Sequence, residues 1–140
     1  MAKKTRVLGI DFGMKRIGLA RSDLSRMIAS PLKTILAAKT LEGTVDLILK
    51  ELDEVDTIVM GLPLLLSGKD SETTTTVRKF ATLLEEASGL PLILWDERLT
   101  SKQVERLLME DKMSRKKRAA HVDTMSATLI LQNYLDSLPI

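Results

Sequence analysis

Asp11, the adjacent pair Asp96-Glu97 and Asp123 are the residues of this chain whose types and settings could do chemistry. Short apolar runs end on the first two: Val7, Leu8 and Ile10 precede Asp11, and Leu92 to Trp95 precede Asp96-Glu97. In open α/β sheets ligands gather beyond the carboxyl ends of strands. Carboxylates brought together there without counter-charge repel, and some would have to stay protonated. A hard divalent cation removes the conflict, because Mg²⁺ takes oxygen ligands, keeps several waters and leaves positions open for phosphate oxygens. Two such ions about 4 Å apart can clamp an in-line displacement at phosphorus. Each acid also has a structural alternative. Asp11 could cap its own turn, Asp96 could pair with Arg98, Glu97 could sit near the next helix N-terminus, and Asp123 could cap the last helix.

Behind these acids the chain must supply strands, helices and turns. Residues 7–11 are too short and too rich in branched side chains for a helix, and predict a central strand. Residues 17–20 predict its hairpin partner across a tight turn at Gly13, which places Lys15 and Arg16 near the Asp11 carboxylate. A third strand over 27–35 contains Pro31, which confines it to an edge or breaks it. Val45, Ile48, Leu49 and Leu52 recur at helical spacing and predict an amphipathic helix over 41–55. A short buried strand over 57–60 ends in the Gly61-Leu62-Pro63 break, and a loop covers 64–70. Asp70 or Ser71 caps a helix over 71–87 that buries Val77, Phe80, Ala81 and Leu84 and closes at Gly89 and Pro91. After the strand ending at Asp96, a helix runs from Thr100 or Ser101 to Met109, a basic loop follows, and a last helix spans about 119–138. Strands separated by such helical segments imply parallel crossovers, and the opening hairpin implies antiparallel strands, so the sheet is mixed.

The 140 residues fit one domain spanning the chain, 44% hydrophobic and 29% charged. Without cysteine there are no disulfides and no thiolate zinc sites, which fits a reducing cytoplasm. MAKKTR is followed by too few apolar residues for a signal peptide, and no apolar run approaches membrane-spanning length, so the expectation is a soluble, cytoplasmic protein without membrane contact. A net charge of +2 does not identify a nucleic-acid binder, but KMSRKKR, residues 112–118, places five basic residues in seven. Such a run is a solvated loop or a phosphate-binding segment. GLPLLLSGKD is not a Walker A loop, since six residues rather than four separate its glycines and Asp70 stands where Ser or Thr is required. His121 is the only histidine, and no G-x-S-x-G elbow supplies a nucleophile for a triad.

Four ordered segments, GIDFGMKRIGLA, GLPLLLSG, WDERLTS and HVDTMSATLILQNYL, resemble the motifs of the YqgF (RuvX) family. These are ribonuclease H-like proteins described as Holliday junction resolvases and as nucleases maturing pre-16S ribosomal RNA. The resemblance covers nearly the whole chain. It implies a ribonuclease H-like α/β fold, a central five-stranded mixed sheet flanked by helices, and phosphodiester cleavage dependent on Mg²⁺ or Mn²⁺. By resemblance Asp11, Glu97 and Asp123 are the catalytic metal ligands. Period-two alternation turns the Asp96 side chain away from that of Glu97, so one of the two is a ligand and the other structural. Lys15, Arg16 and Arg98, with Arg115, Lys116, Lys117 and Arg118 of the basic loop, would then hold the nucleic-acid backbone. Two departures, KDSETTTT after Gly68 and Met125-Ser126, touch no candidate ligand and bear on loop shape and substrate choice.

Function therefore reads first as a nuclease acting on structured RNA in 5′-end processing of pre-16S rRNA. Its sibling is a resolvase of branched DNA, which needs two sites in a symmetric homodimer where the RNA enzyme could be a monomer. Two other classes compete: an actin-like ATPase, which needs two such domains, and a non-catalytic nucleic-acid-binding module.

Overall fold

The structure is a computed structural model and describes residues 5–96, 98 and 115–139, with side chains in the last stretch from residue 124. The described elements run β1 (Arg6–Asp11), β2 (Arg16–Ser22), β3 (Ala29–Leu36), α1 (Leu41–Leu49), β4 (Val55–Leu62), α2 (Glu72–Ser88), β5 (Leu92–Asp96) and α3 (Arg115–Ser137). The strands form one sheet in the order β3-β2-β1-β4-β5. β1 pairs antiparallel with β2 and β2 with β3, while β1–β4 and β4–β5 are parallel. This is the mixed five-stranded sheet expected. β3 is an edge strand in which Pro31 lies opposite Ala20, next to a shift in register that absorbs one extra residue.

Alternation along the strands sorts two cores. Leu8, Ile10 and Phe12 face one side, with Ile58, Met60 and Leu62 of β4 and with Val45, Ile48, Val77, Phe80 and Leu84 of α1 and α2. Val7 faces the other side, with Val59 of β4 and with Ala127, Ile130, Leu131 and Leu135 of α3. Burying each such aliphatic or aromatic side chain contributes roughly 1.5–3 kcal/mol, so both faces hold the sheet.

α3 can lie directly on β1 because Gly9 has no side chain. A Cβ there would meet the Leu131 Cβ at 2.7 Å and the Ala127 carbonyl oxygen at 3.0 Å. The direction of α3 follows from its polar contacts. Gln132 Nε2 donates to the Met27 carbonyl at 3.0 Å, and the Ala29 amide donates to Gln132 Oε1 at 2.9 Å. Both lie at the amino end of β1, since the Val7 amide donates to Ser22 Oγ at 2.8 Å. α3 therefore runs antiparallel to β1, with its N-terminal turns toward the carboxyl ends of the strands.

Several boundaries differ from expectation. α1 stops at Leu49 rather than Val55, because two tight turns follow: the Glu51 amide donates to the Ile48 carbonyl and the Val55 amide to the Leu52 carbonyl. Glu54 then adopts φ 62°, left-handed backbone that reverses the chain into β4. Leu52 still packs on the core, so its spacing reported burial correctly and element type wrongly. β4 continues to Leu62 and breaks at Pro63. Ser71, not Asp70, caps α2, in a reciprocal pair with Thr74. Thr74 Oγ1 also donates to the Pro63 carbonyl, which ties the start of α2 to the end of β4. The helix expected to end at Met109 lies outside the described residues.

Candidate active site

β1, β4 and β5 point their carboxyl ends the same way, and Asp11 is the last residue of β1, opposite Gly18 of β2. It is half-buried. By alternation it follows Val7 and Gly9 and lies on the face covered by α3. Beyond it the chain turns at Gly13, where a Cβ would come within 2.3 Å of the Arg16 carbonyl oxygen, so only glycine fits. That turn leaves Met14 and Lys15 exposed and Arg16 half-buried at the start of β2. The Ala37 amide donates to the Lys15 carbonyl at 2.9 Å and clamps the turn against the segment leading into α1.

α3 brings a second candidate position to the same place. Residues 123, 127 and 131 are spaced by four along its backbone, and such residues share one helix face. Gly9 sits between the levels of Ala127 and Leu131, so position 123 lies roughly 9 Å further along the helix axis at 1.5 Å per residue. Asp11 lies about 7 Å beyond Gly9 in the same direction. The backbone thus carries position 123 toward the end of β1 that bears Asp11. The side chain of Asp123 is outside the described residues, as is Glu97.

The start of α3 corrects two expectations. The helix begins at Arg115 rather than near Ala119, so Arg115, Lys116, Lys117 and Arg118 are helical and not part of a loop. Lys and Arg are good helix formers, and a run of them reads as a solvated loop only in isolation. Asp123 is then in the third turn of the helix, too far inside to cap it.

Asp96 ends β5 opposite Leu62, following Leu92 and Leu94, all three of which face the α1–α2 core. It therefore lies on the face opposite to Asp11. Its carboxylate is held by Arg98, with Nη2 donating to Oδ2 at 2.6 Å, Nε to Oδ2 at 2.8 Å, and the Arg98 amide to Oδ1 at 3.1 Å. The guanidinium holds the Asp96 carboxyl below the usual carboxylate range. Arg98 Nη1 also donates to the Leu66 carbonyl at 3.3 Å, linking the end of β5 to the loop after β4. The Asp96–Arg98 pairing expected as the structural alternative is thus present.

Sequence reasoning did not single out Gly9, although a glycine inside an apolar strand is a sign of close backbone approach. It also missed a groove of about 310 Å³ beside the β1–β2 turn, lined by Phe12, Met14, Ala38, Lys39, Thr40 and Thr76 among others. Its walls come from three distant segments, and no local pattern announces it. Among the described residues no three His, Cys, Asp or Glu side chains gather to hold a metal ion, and no helix is long and apolar enough to cross a membrane.

Comparison with known proteins places this geometry in a family. The profile of RuvX, described as a Holliday junction resolvase, matches residues 5–137. A protein of Protochlamydia amoebophila named "Putative pre-16S rRNA nuclease" is 48% identical, over 96% of this chain and 95% of its own length. A protein of Chlamydia caviae with the same name is 40% identical, over 98% and 86%. Among solved structures, Thermus thermophilus RuvC in complex with a Holliday junction substrate superposes with a TM-score of 0.53 at 15% identity, covering 94% of this chain and 93% of that one. The large terminase nuclease of phage G20c gives 0.51 at 14% identity, over 89% and 80%. These two structures share the fold, a ribonuclease H-like sheet with helices on both faces. With a family profile matched from the start of β1 to the end of α3, and near full-length relatives, this chain belongs to the RuvX family.

Proposed function

We propose that this protein is a divalent-metal-dependent endonuclease that cleaves phosphodiester bonds in RNA, in the 5′-end processing of pre-16S rRNA in the cytoplasm. The observation that carries the reading is the half-buried carboxylate of Asp11 at the end of a central strand, on the face toward which α3 brings position 123. The names of the full-length relatives support the RNA substrate. Asp11, Glu97 and Asp123 are the catalytic residues and would hold Mg²⁺ or Mn²⁺. Their donor chemistry fits, being all carboxylate oxygen, with no soft ligand in the set. When bound, the metal supplies activation of water and stabilisation of the leaving oxygen.

The protein's own contributions are position and charge. Asp11 is fixed by the β1–β2 ladder, and period-two alternation carried one residue past Asp96 would put Glu97 on the Asp11 face. Lys15, Arg16 and Arg98, with Arg115, Lys116, Lys117 and Arg118, contact the phosphate backbone. The basic residues open α3, where no acid occupies the first turn. Positive charge at a helix N-terminus opposes the macrodipole, and a bound polyanion relieves that conflict. Cutting branched DNA as a homodimer is the second reading, favoured by the description of the matched family. Incubating a pre-16S leader RNA with Mn²⁺ and either wild-type or Asp11→Asn protein tests the proposal. Cleavage by wild type alone is expected, and equal cleavage by the variant overturns it.

A further inference from the structure

The groove beside the β1–β2 turn begins one residue beyond Asp11, on the other side of the strand end. Its inner wall is Phe12, 8% exposed, with its ring 4.5 Å from that of Phe80. Its lip is Met14, 65% exposed at the tip of the turn that Gly13 makes tight. Lys39 lines the groove, and Lys15 stands beside Met14 on the same turn. The hydroxyls along it are already engaged: Thr40 Oγ1 accepts from the Gly43 amide at 3.0 Å, and Thr44 Oγ1 accepts from the Ala38 amide at 3.0 Å and donates to the Thr40 carbonyl. Thr76 Oγ1 donates to the Glu72 carbonyl within its own helix.

An aromatic wall, a polarizable thioether lip and two lysines make a site for a flat π-system attached to an anion. Hydroxyls committed to the protein leave little for reading hydrogen-bond edges. We propose that this groove seats an unstacked nucleobase of single-stranded RNA, next to the scissile phosphodiester at the strand end that bears Asp11, with Lys15 and Lys39 on the flanking phosphates. The inference rests on the nuclease reading and adds to it how the strand is gripped. Single-stranded RNA is commonly bound by splaying bases onto apolar and aromatic side chains, and stacking of this kind is tolerant of sequence. Thioether contacts with π-faces are favourable, and methionine adapts to whichever base arrives.

The test measures binding of short single-stranded RNAs to the full chain over a range of salt concentrations. Met14→Ala should weaken binding roughly three- to tenfold with an unchanged salt slope, because the lost contact is apolar. Lys39→Ala should lower the slope by about one. Thr76→Leu narrows the groove without removing a contact between elements, and should weaken binding as Met14→Ala does. An abasic residue walked along the RNA should weaken wild-type binding at one position, where Met14→Ala then adds no further loss. Unchanged affinity in both Met14→Ala and Thr76→Leu, or additive losses at every abasic position, overturns the proposal. Cleavage by Asp11→Asn reports separately on the nuclease reading, since an inactive Asp11→Asn with binding unaffected in both Met14→Ala and Thr76→Leu sinks the groove alone.

Discussion

β1 and β5 lie two strands apart in one parallel region of the sheet, and each ends on an aspartate. Asp11 is half-buried on the face that α3 covers, whereas Asp96 lies on the α1–α2 face with its carboxylate forked by Arg98. One residue of register separates the two outcomes. Trp95, the neighbour of Asp96, packs on the α3 face, edge-on to Tyr134 with ring centroids 6.0 Å apart. The comparison teaches that an acid at a strand end is defined by the parity of its position. On the α3 face a second element approaches the strand end, and on the α1–α2 face the acid is engaged in an ion pair.

The sharpest way to break this contrast is to neutralise each acid in turn. Asp11→Asn should cut cleavage at least about a hundredfold, since even outer partners of metal ligands typically cost roughly 10–100-fold. Metal-dependent cleavage assays check it, with thermal unfolding to confirm that the fold is kept. Gly9→Ala attacks the support rather than the acid. The new methyl meets Leu131 and the Ala127 backbone, so α3 must shift, at a cost of about 1–3 kcal/mol in denaturant unfolding. Cleavage should fall further than stability explains, because the same shift moves position 123 relative to Asp11.

Asp96→Asn should leave cleavage within a few-fold of wild type. Its pair with Arg98 is 40% and 36% exposed, so the loss of stability should stay within about 1 kcal/mol at pH 7. A cleavage loss matching that of Asp11→Asn would erase the distinction between the two strand ends. The smallest effect concerns an acid with a structural task at the amino end of β1. Asp23 accepts from the Ser25 hydroxyl and from the Ile28 and Met27 amides at 3.1 and 2.8 Å, which lowers its pKa to about 2. A depressed carboxylate contributes stability that is present above its unfolded value of 3.8 and is lost as pH falls toward 2. Unfolding midpoints followed from pH 5 to about pH 2 should therefore drop slightly less in Asp23→Asn than in wild type.

Much of the fold was legible. Branched apolar runs located β1, β2 and β5, the Gly13 turn located the hairpin, and Pro31 marked β3 as an edge strand or a broken one, of which the edge strand is found, because strand formation and turn chemistry are local. Boundaries were less so. Leu52 carries helical spacing but sits in a turn, since only five residues, 50–54, separate the end of α1 from the start of β4. The basic run was read as a loop because charge alone does not distinguish a solvated loop from a solvated helix end. Asp11 was readable as a site candidate because charge at the end of an apolar strand is costly without a partner.

By itself, then, the sequence determined the element order, the mixed sheet and the set of acids from which a site could be built, all of which depend on patterns within a few residues. Only the tertiary structure decided that Asp11 and Asp96 end their strands on opposite faces of the sheet, and that the backbone at position 123 comes toward the Asp11 end. That depends on the parity of β1 and β5 across β4, on the missing side chain at Gly9 that lets α3 descend onto the sheet, and on the antiparallel course of α3 that aims position 123 at Asp11. These are relations between residues more than a hundred positions apart, set by packing, and no local pattern carries them.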